Sequence, residues 1–187
     1  MLFPNKVFYA TPERYGIDMN FSSRTAHLAQ YGILIALAFI LSWLETFLPN
    51  PLEGMVPGIK LGLANLVVII ALFRLGFPAA TVISLLRVLL TAFTFGNLSM
   101  LFYSLAGAAL SLLSMKLLQH THRFSATGIS IIGGLSHNIG QVIVAMLILG
   151  SNLIYYLPYL IIGGCVSGFL IGLLASLILS RLPKSIA

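Results

Sequence analysis

Apolar residues run through this chain in long unbroken stretches, and the polar positions gather between them. Read by apolar length and breakers, spans are expected at about 26–48, 57–74, 77–94, 98–119, 125–150 and 158–182. A helix needs about 20 apolar residues to cross a bilayer, whereas a barrel strand needs about ten in alternation, so the pattern predicts six helices. Pro49 and Pro51 close the first run, Gly76 and Pro78 punctuate the second and third, and Gly96-Asn97 turns the third into the fourth. Pro158 suits the first turn of the last helix, where its missing N–H has no partner to lose. The expected fold is an all-α integral membrane protein, a six-transmembrane-helix bundle. Residues 1–25 form an N-terminal segment and residues 26–187 one membrane domain, because no linker is long enough to divide them.

Composition supports this picture. Of the 187 residues 59% are hydrophobic and 7% charged, far too apolar for an ordinary aqueous surface. The first run follows Lys6, Glu13, Arg14, Asp18 and Arg24 and lacks the small-residue exit of a signal peptide, so a retained span is expected. Charge then orients the bundle. Lys6, Arg14, Arg24, Arg74, Lys116, Arg123, Arg181 and Lys184 fall on one side, and the other side has Lys60 beside Glu45 and Glu53. Both termini are expected in the cytoplasm, with Tyr155, Tyr156 and Tyr159 at the opposite interface. The net charge of +6 comes from cations scattered singly, which makes no basic stripe and implies no nucleic-acid partner. A single cysteine, Cys165, excludes a disulfide within one chain and a cysteine-based metal site.

Several polar residues interrupt the apolar runs. At about 1.5 Å per residue, Asn65 falls near the centre of the second expected span, Arg87 near that of the third, and His137 with Asn138 near that of the fifth. An arginine at mid-membrane costs about 2.5 to 3.5 kcal/mol, so Arg87 should face the interior, a partner or a water-filled cavity. Gly133, His137 and Gln141 recur at i, i+4 and i+8 and share one stripe, with Asn138 three residues before Gln141. Gly133, Gly134 and Gly140 remove bulk beside that stripe, and Gly58 and Gly62 do so in the second span, allowing close helix approach. Pro57-Gly58 opens the second span abruptly, and its unpaired N-terminal N–H groups with Lys60 form a candidate anion site.

Packing offers an alternative for each residue. Asn, Gln, His and Ser serve as interhelical hydrogen-bond glue worth about 0.6 kcal/mol apiece. Arg87 could pair with Glu45, and Lys60 could snorkel to the interface or pair with Glu53. Convergence at one depth favours a binding site, made of Lys60, Asn65, Arg87, His137, Asn138, Gln141 and Glu45, for a small ligand with a carboxylate, phosphate or diphosphate.

Enzymatic chemistry is not expected. Glu13, Asp18, Glu45 and Glu53 are the only acids and no two stand at i, i+3 or i+4, so the chain lacks the paired carboxylates that hold magnesium against a diphosphate. Ser136 and His137 point in different directions on a helix and have no carboxylate orienter, and there is no Walker A sequence. No catalytic residue, metal or cofactor is expected, and energy coupling would need another protein.

Three motifs, "PGIKLGLAN" (57–65), "LLRVLLTAFTFGN" (85–97) and "GGLSHNIGQ" (133–141), occur together in a chain of this size. In that combination the chain resembles the heptaprenyl diphosphate synthase component I family, also called the Gx transporter family, over about residues 26–182. The motif positions carried over are Pro57, Gly58, Lys60, Gly62, Asn65, Arg87, Gly96, His137, Asn138, Gly140 and Gln141. The resemblance implies a bacterial cytoplasmic (inner) membrane protein linked to isoprenoid or quinone metabolism. It also implies a likeness to the S components of energy-coupling-factor transporters, which capture vitamins from the outer face and dock on a shared ATPase module. Gly32 and Ala36 replace the A-x-x-x-A docking pattern of many S components. The expected function is a substrate-binding subunit for a small anionic or amphipathic metabolite. The alternative is a noncatalytic membrane partner of a soluble polyprenyl diphosphate synthase, and a third reading is a scaffold whose polar centre is packing glue.

Overall fold

The computed structural model describes residues 19–47 and 62–181, the side chains of 19–24 excepted. Every regular element among them is helical: α1 (Met19–Glu45), α2 (Leu63–Arg74), α3 (Phe77–Phe95), α4 (Leu98–His120), α5 (Ala126–Leu149) and α6 (Leu157–Arg181), with a 3₁₀ segment at Ser151–Tyr156. Five of these helices are long and apolar enough to cross a membrane. The chain is therefore a helical protein of multi-pass membrane character. Local chemistry sets the ends. Asn97 accepts from Met100 N–H to start α4, Ser125 accepts from Gly128 N–H to start α5, and Pro78 sits in the first turn of α3.

The second element departs from expectation. Residues 57–61 lie outside the described residues, and Gly62 takes a left-handed conformation at φ 78°, which an α-helix cannot pass through. Regular helix begins only at Leu63. The 12 residues of α2 rise about 18 Å, well short of a hydrocarbon core about 30 Å thick. Asn65 consequently stands in the first turn of α2 and not at the centre of a span. At the other end of the expected boundaries, α1 already begins at Met19, so the division at 25/26 falls inside a helix.

The reason α2 can be short lies in what surrounds it. Between Asn65 and Arg74 its residues are apolar all round, as a helix enclosed by protein requires, and Ala64, Val67, Val68, Ile69, Ala71 and Leu72 are buried. Ala38, Ile83, Leu112, Ile129 and Ala175 bring α1, α3, α4, α5 and α6 into the same core. Outside, Leu37, Phe93, Leu117, Leu147, Phe169 and Leu177 are exposed, a surface that suits lipid and not water.

Two side chains define the ends of the bundle. Arg74 Nη2 donates to the Leu179 carbonyl at 2.8 Å, and Gln119 Nε2 donates to the Leu72 carbonyl at 3.3 Å. These bonds bring the C-termini of α2, α4 and α6 together. Arg74, Lys116, Arg123 and Arg181 therefore share one end, and Glu45 closes α1 near the start of α2, toward the other.

Packing between α4, α5 and α6 is closest where side chains are absent. A β-carbon added at Gly134 would lie 2.5 Å from the Gly164 carbonyl oxygen, and one at Gly168 would lie 2.7 Å from the Ser130 carbonyl oxygen. Gly164, Gly168 and Gly172 recur every fourth residue on α6, so a continuous glycine stripe meets α5. On the α4 side, Gly140 approaches the Ala106 carbonyl oxygen and Gly107 approaches that of His137.

Candidate functional site

A cavity of ≈ 60 Å³ lies in the half of the bundle away from the basic end, where five long helices and the start of α2 meet. α1 contributes Ser42 and Glu45 from its last turn, α2 contributes Gly62 and Asn65 from its first, and α3 contributes Arg87 and Thr91. Tyr103 and Ser104 of α4, His137 and Gln141 of α5, and Ser167 of α6 complete the walls.

Arg87 occupies the middle of α3, one turn before Thr91, so both project to the same side. Its Nε and Nη2 are buried and have no hydrogen-bond partner. Thr91 Oγ1 and His137 Nδ1 are in the same condition. Four orphaned polar atoms on one chamber are unusual, because each such group costs about 1 to 3 kcal/mol when left unsatisfied. A guanidinium and a hydroxyl supply donors suited to an oxyanion, while the imidazole, whose other nitrogen bonds the Gly107 backbone, offers Nδ1 as an acceptor.

The start of α2 adds to this. Gly62 N–H donates to Glu45 Oε1, and Asn65 N–H turns back to the Gly62 carbonyl at 2.8 Å. Glu45 is buried and sets a carboxylate at the positive end of the α2 dipole. The chamber thus holds one fixed cation and one fixed anion, with the anion already engaged by a helix N-terminus.

Of the expected site residues, Glu45, Asn65, Arg87, His137, Asn138 and Gln141 all border this cavity. Lys60 and Gly58 lie outside the described residues. Asn138 is turned partly away from a ligand's reach: its amide nitrogen donates to the Leu160 carbonyl at 2.7 Å and ties α5 to α6. Gly133 and Gly140 face α4, Gly134 faces α6, and Gly62 shapes the backbone at the head of α2. Neighbouring Met115 Sδ would be 2.7 Å from a β-carbon at Gly133, whereas at Gly134 the obstacle is backbone.

Sequence reasoning missed Thr91, Ser42, Tyr103, Ser104 and Ser167. Thr91 was detectable, since it stands four residues after Arg87 on the same helical stripe. The glycine repeat of α6 was also legible as G-x-x-x-G-x-x-x-G. Serines and tyrosines inside apolar runs carry no such spacing signal.

An apolar pocket adjoins the chamber, sharing Tyr103 and Gln141 with it and continuing over Val142, Ala145 and Leu160 to Leu153 and Tyr156. Among the described residues no three of His, Cys, Asp or Glu converge to hold a metal ion.

The model of one family, described as heptaprenyl diphosphate synthase component I, matches residues 34–178. The match takes in every described wall of the chamber, from Ser42 to Ser167. Neither the curated proteins nor the solved structures give a match. The chain belongs to the heptaprenyl diphosphate synthase component I family.

Proposed function

We propose that this chain is the substrate-binding subunit of a bacterial inner-membrane transporter, S-component-like, which captures a small metabolite by its anionic group from the extracytoplasmic side. In this reading the bundle has six spans, α2 counted as the second, and both termini lie in the cytoplasm. The observation that carries the reading is the convergence of buried, unpartnered Arg87 Nε and Nη2, Thr91 Oγ1 and His137 Nδ1 on one chamber.

Arg87 binds the anionic group, Thr91 donates a further hydrogen bond to it, and His137 Nδ1 accepts from a hydroxyl or N–H elsewhere on the ligand, whose remainder Gln141 orients. Size sharpens the assignment. A cavity of ≈ 60 Å³ holds a headgroup of a few atoms, whereas whole ligands occupy pockets of about 300–1,000 Å³. The rest of the ligand therefore extends into the apolar pocket beside Tyr103, and uptake requires the bundle to widen there. Energy would come from a separate ATPase or coupling module, as the chain has no nucleotide-binding loop.

Thermal-shift measurements on the purified chain with vitamins, flavins and prenyl diphosphates test this. A ligand at 100 times its Kd adds about 2.7 kcal/mol of stability. The shift should vanish in Arg87→Met; an undiminished shift in that variant removes the proposal.

The family description favours a second reading, in which the chain is a noncatalytic membrane component working with a soluble polyprenyl diphosphate synthase. The scarcity of carboxylates supports leaving catalysis to the partner. Co-purification decides it. A synthase retained through detergent washing supports this role, and its absence under the same conditions counts against it.

A further inference from the structure

At the basic end of the bundle a groove of ≈ 560 Å³ opens between the α2–α3 turn and the α4–α5 connection. It is separate from the chamber. Leu72, Phe73 and Ile129 form an apolar floor, and Lys116, His120 and His122 stand on the rim. The three rim side chains are exposed, and Phe124 beside them is 49% exposed. The Gln119–Leu72 hydrogen bond spans the floor, so the groove belongs to the folded bundle.

Among the described residues no carboxylate compensates the charge of the groove. Among the described residues the only carboxylate side chain is Glu45, which lies in the other half of the bundle. Helix dipoles nearly cancel, because α2 and α4 end at the groove while α3 and α5 begin there. The positive potential therefore comes from side chains, Lys116 foremost, with Arg74 and Arg123 nearby. His122 has φ 55°, a left-handed conformation unfavourable for a residue with a β-carbon. That turn sets its ring 6.4 Å from the ring of His120, so two imidazoles and an ammonium converge on the same rim.

We propose that this groove binds the phosphate-bearing head of an amphiphile at the membrane surface. The phosphate oxygens accept from Lys116, His120 and His122, and the apolar part lies along Phe73 and Phe124. Its position at the helix ends is where headgroups meet protein, and basic pockets between transmembrane helices recognise such heads. The volume is that of a ligand pocket and not of a water site. A soluble phosphate source shares the same chemistry, which the test separates.

The experiment uses the full chain purified in neutral detergent and native mass spectrometry. Phosphatidylglycerol, phosphatidylcholine and inorganic diphosphate are the probes, with a Lys116→Ser, His120→Ser, His122→Asn triple variant; asparagine tolerates the left-handed turn. Phosphatidylglycerol should bind about tenfold more tightly than phosphatidylcholine, and the triple variant should lose that preference while keeping its melting temperature. Diphosphate bound by the wild type and lost in the triple variant, without lipid preference, supports the phosphate contacts and names a soluble source. Equal retention of both lipids with no diphosphate binding overturns the proposal. So does an undiminished preference in the triple variant, or stronger binding of a poly-glutamate peptide than of either phosphate. Arg87→Met, which abolishes capture in the chamber, should leave this groove's binding unchanged, so the two proposals fail separately.

Discussion

On α5, Gly134 and Asn138 face α6, while His137 and Gln141 look toward α4 and the chamber. At the first of these surfaces polarity and small size are consumed by packing: Gly134 lets two backbones touch, and Asn138 donates to the Leu160 carbonyl. At the second, His137 Nδ1 has no partner, and the neighbouring Arg87 and Thr91 share that condition. Polar residues of one bundle therefore do two jobs. A satisfied polar group in a tight crossing holds helices together, and an unsatisfied one beside a cavity is available for recognition.

This contrast is open to direct attack. The largest effect is expected from Gly134→Ala, whose β-carbon meets the Gly164 carbonyl, a backbone atom that can move only by parting α5 from α6. A loss of about 3 kcal/mol or failure to accumulate folded protein is expected, measured as melting temperature in detergent. A wild-type melting temperature would show the crossing to be loose. Arg87→Met should do the opposite to stability, leaving the ligand-free protein unchanged or up to about 1 kcal/mol more stable, because two unsatisfied guanidinium nitrogens are removed at the cost of the attraction to Glu45. Binding of an anionic ligand should fall at least about 100-fold, an interaction of charge-assisted type being lost.

Subtler changes sharpen the distinction. Glu45→Gln keeps an acceptor for Gly62 N–H while removing the chamber's negative charge, so anion affinity should rise by about tenfold in a titration, with no gain for a neutral ligand. Asn138→Ala should cost about 0.6 to 1.7 kcal/mol in unfolding, as interhelical hydrogen bonds do, and change anion affinity less than threefold. A large affinity loss with no stability loss would move Asn138 from packing to recognition. Gly32→Ala, where no atom lies within 4 Å of the added carbon, should stay within about 0.5 kcal/mol of wild type and serves as the control.

The bundle's helices were legible because membrane insertion is governed by composition over about 20 residues, a local property. Hence α3, α4, α5 and α6 begin and end within a residue or so of the expected limits, marked by Gly76, Asn97, Ser125 and Pro158. The polar depth of Arg87 and His137 was legible for the same reason, since position along a straight helix is arithmetic. Thr91 could have been added by the same spacing.

What one dimension could not hold was which neighbour each polar group meets. Asn138 and Gln141 stand three residues apart on one helix and both border the chamber, yet only the close packing of α5 on α6 gives Asn138 the Leu160 carbonyl. The beginning of α2 is another such case: residues 57–74 read as one apolar run, and a single left-handed Gly62 shortens the helix, so that its N-terminus meets Glu45 from a different element. Hydrophobicity along the chain sorted segments between water and lipid. Contacts between helices are long-range and depend on backbone approach, so only the assembled bundle decided which buried polar atoms found partners and which did not.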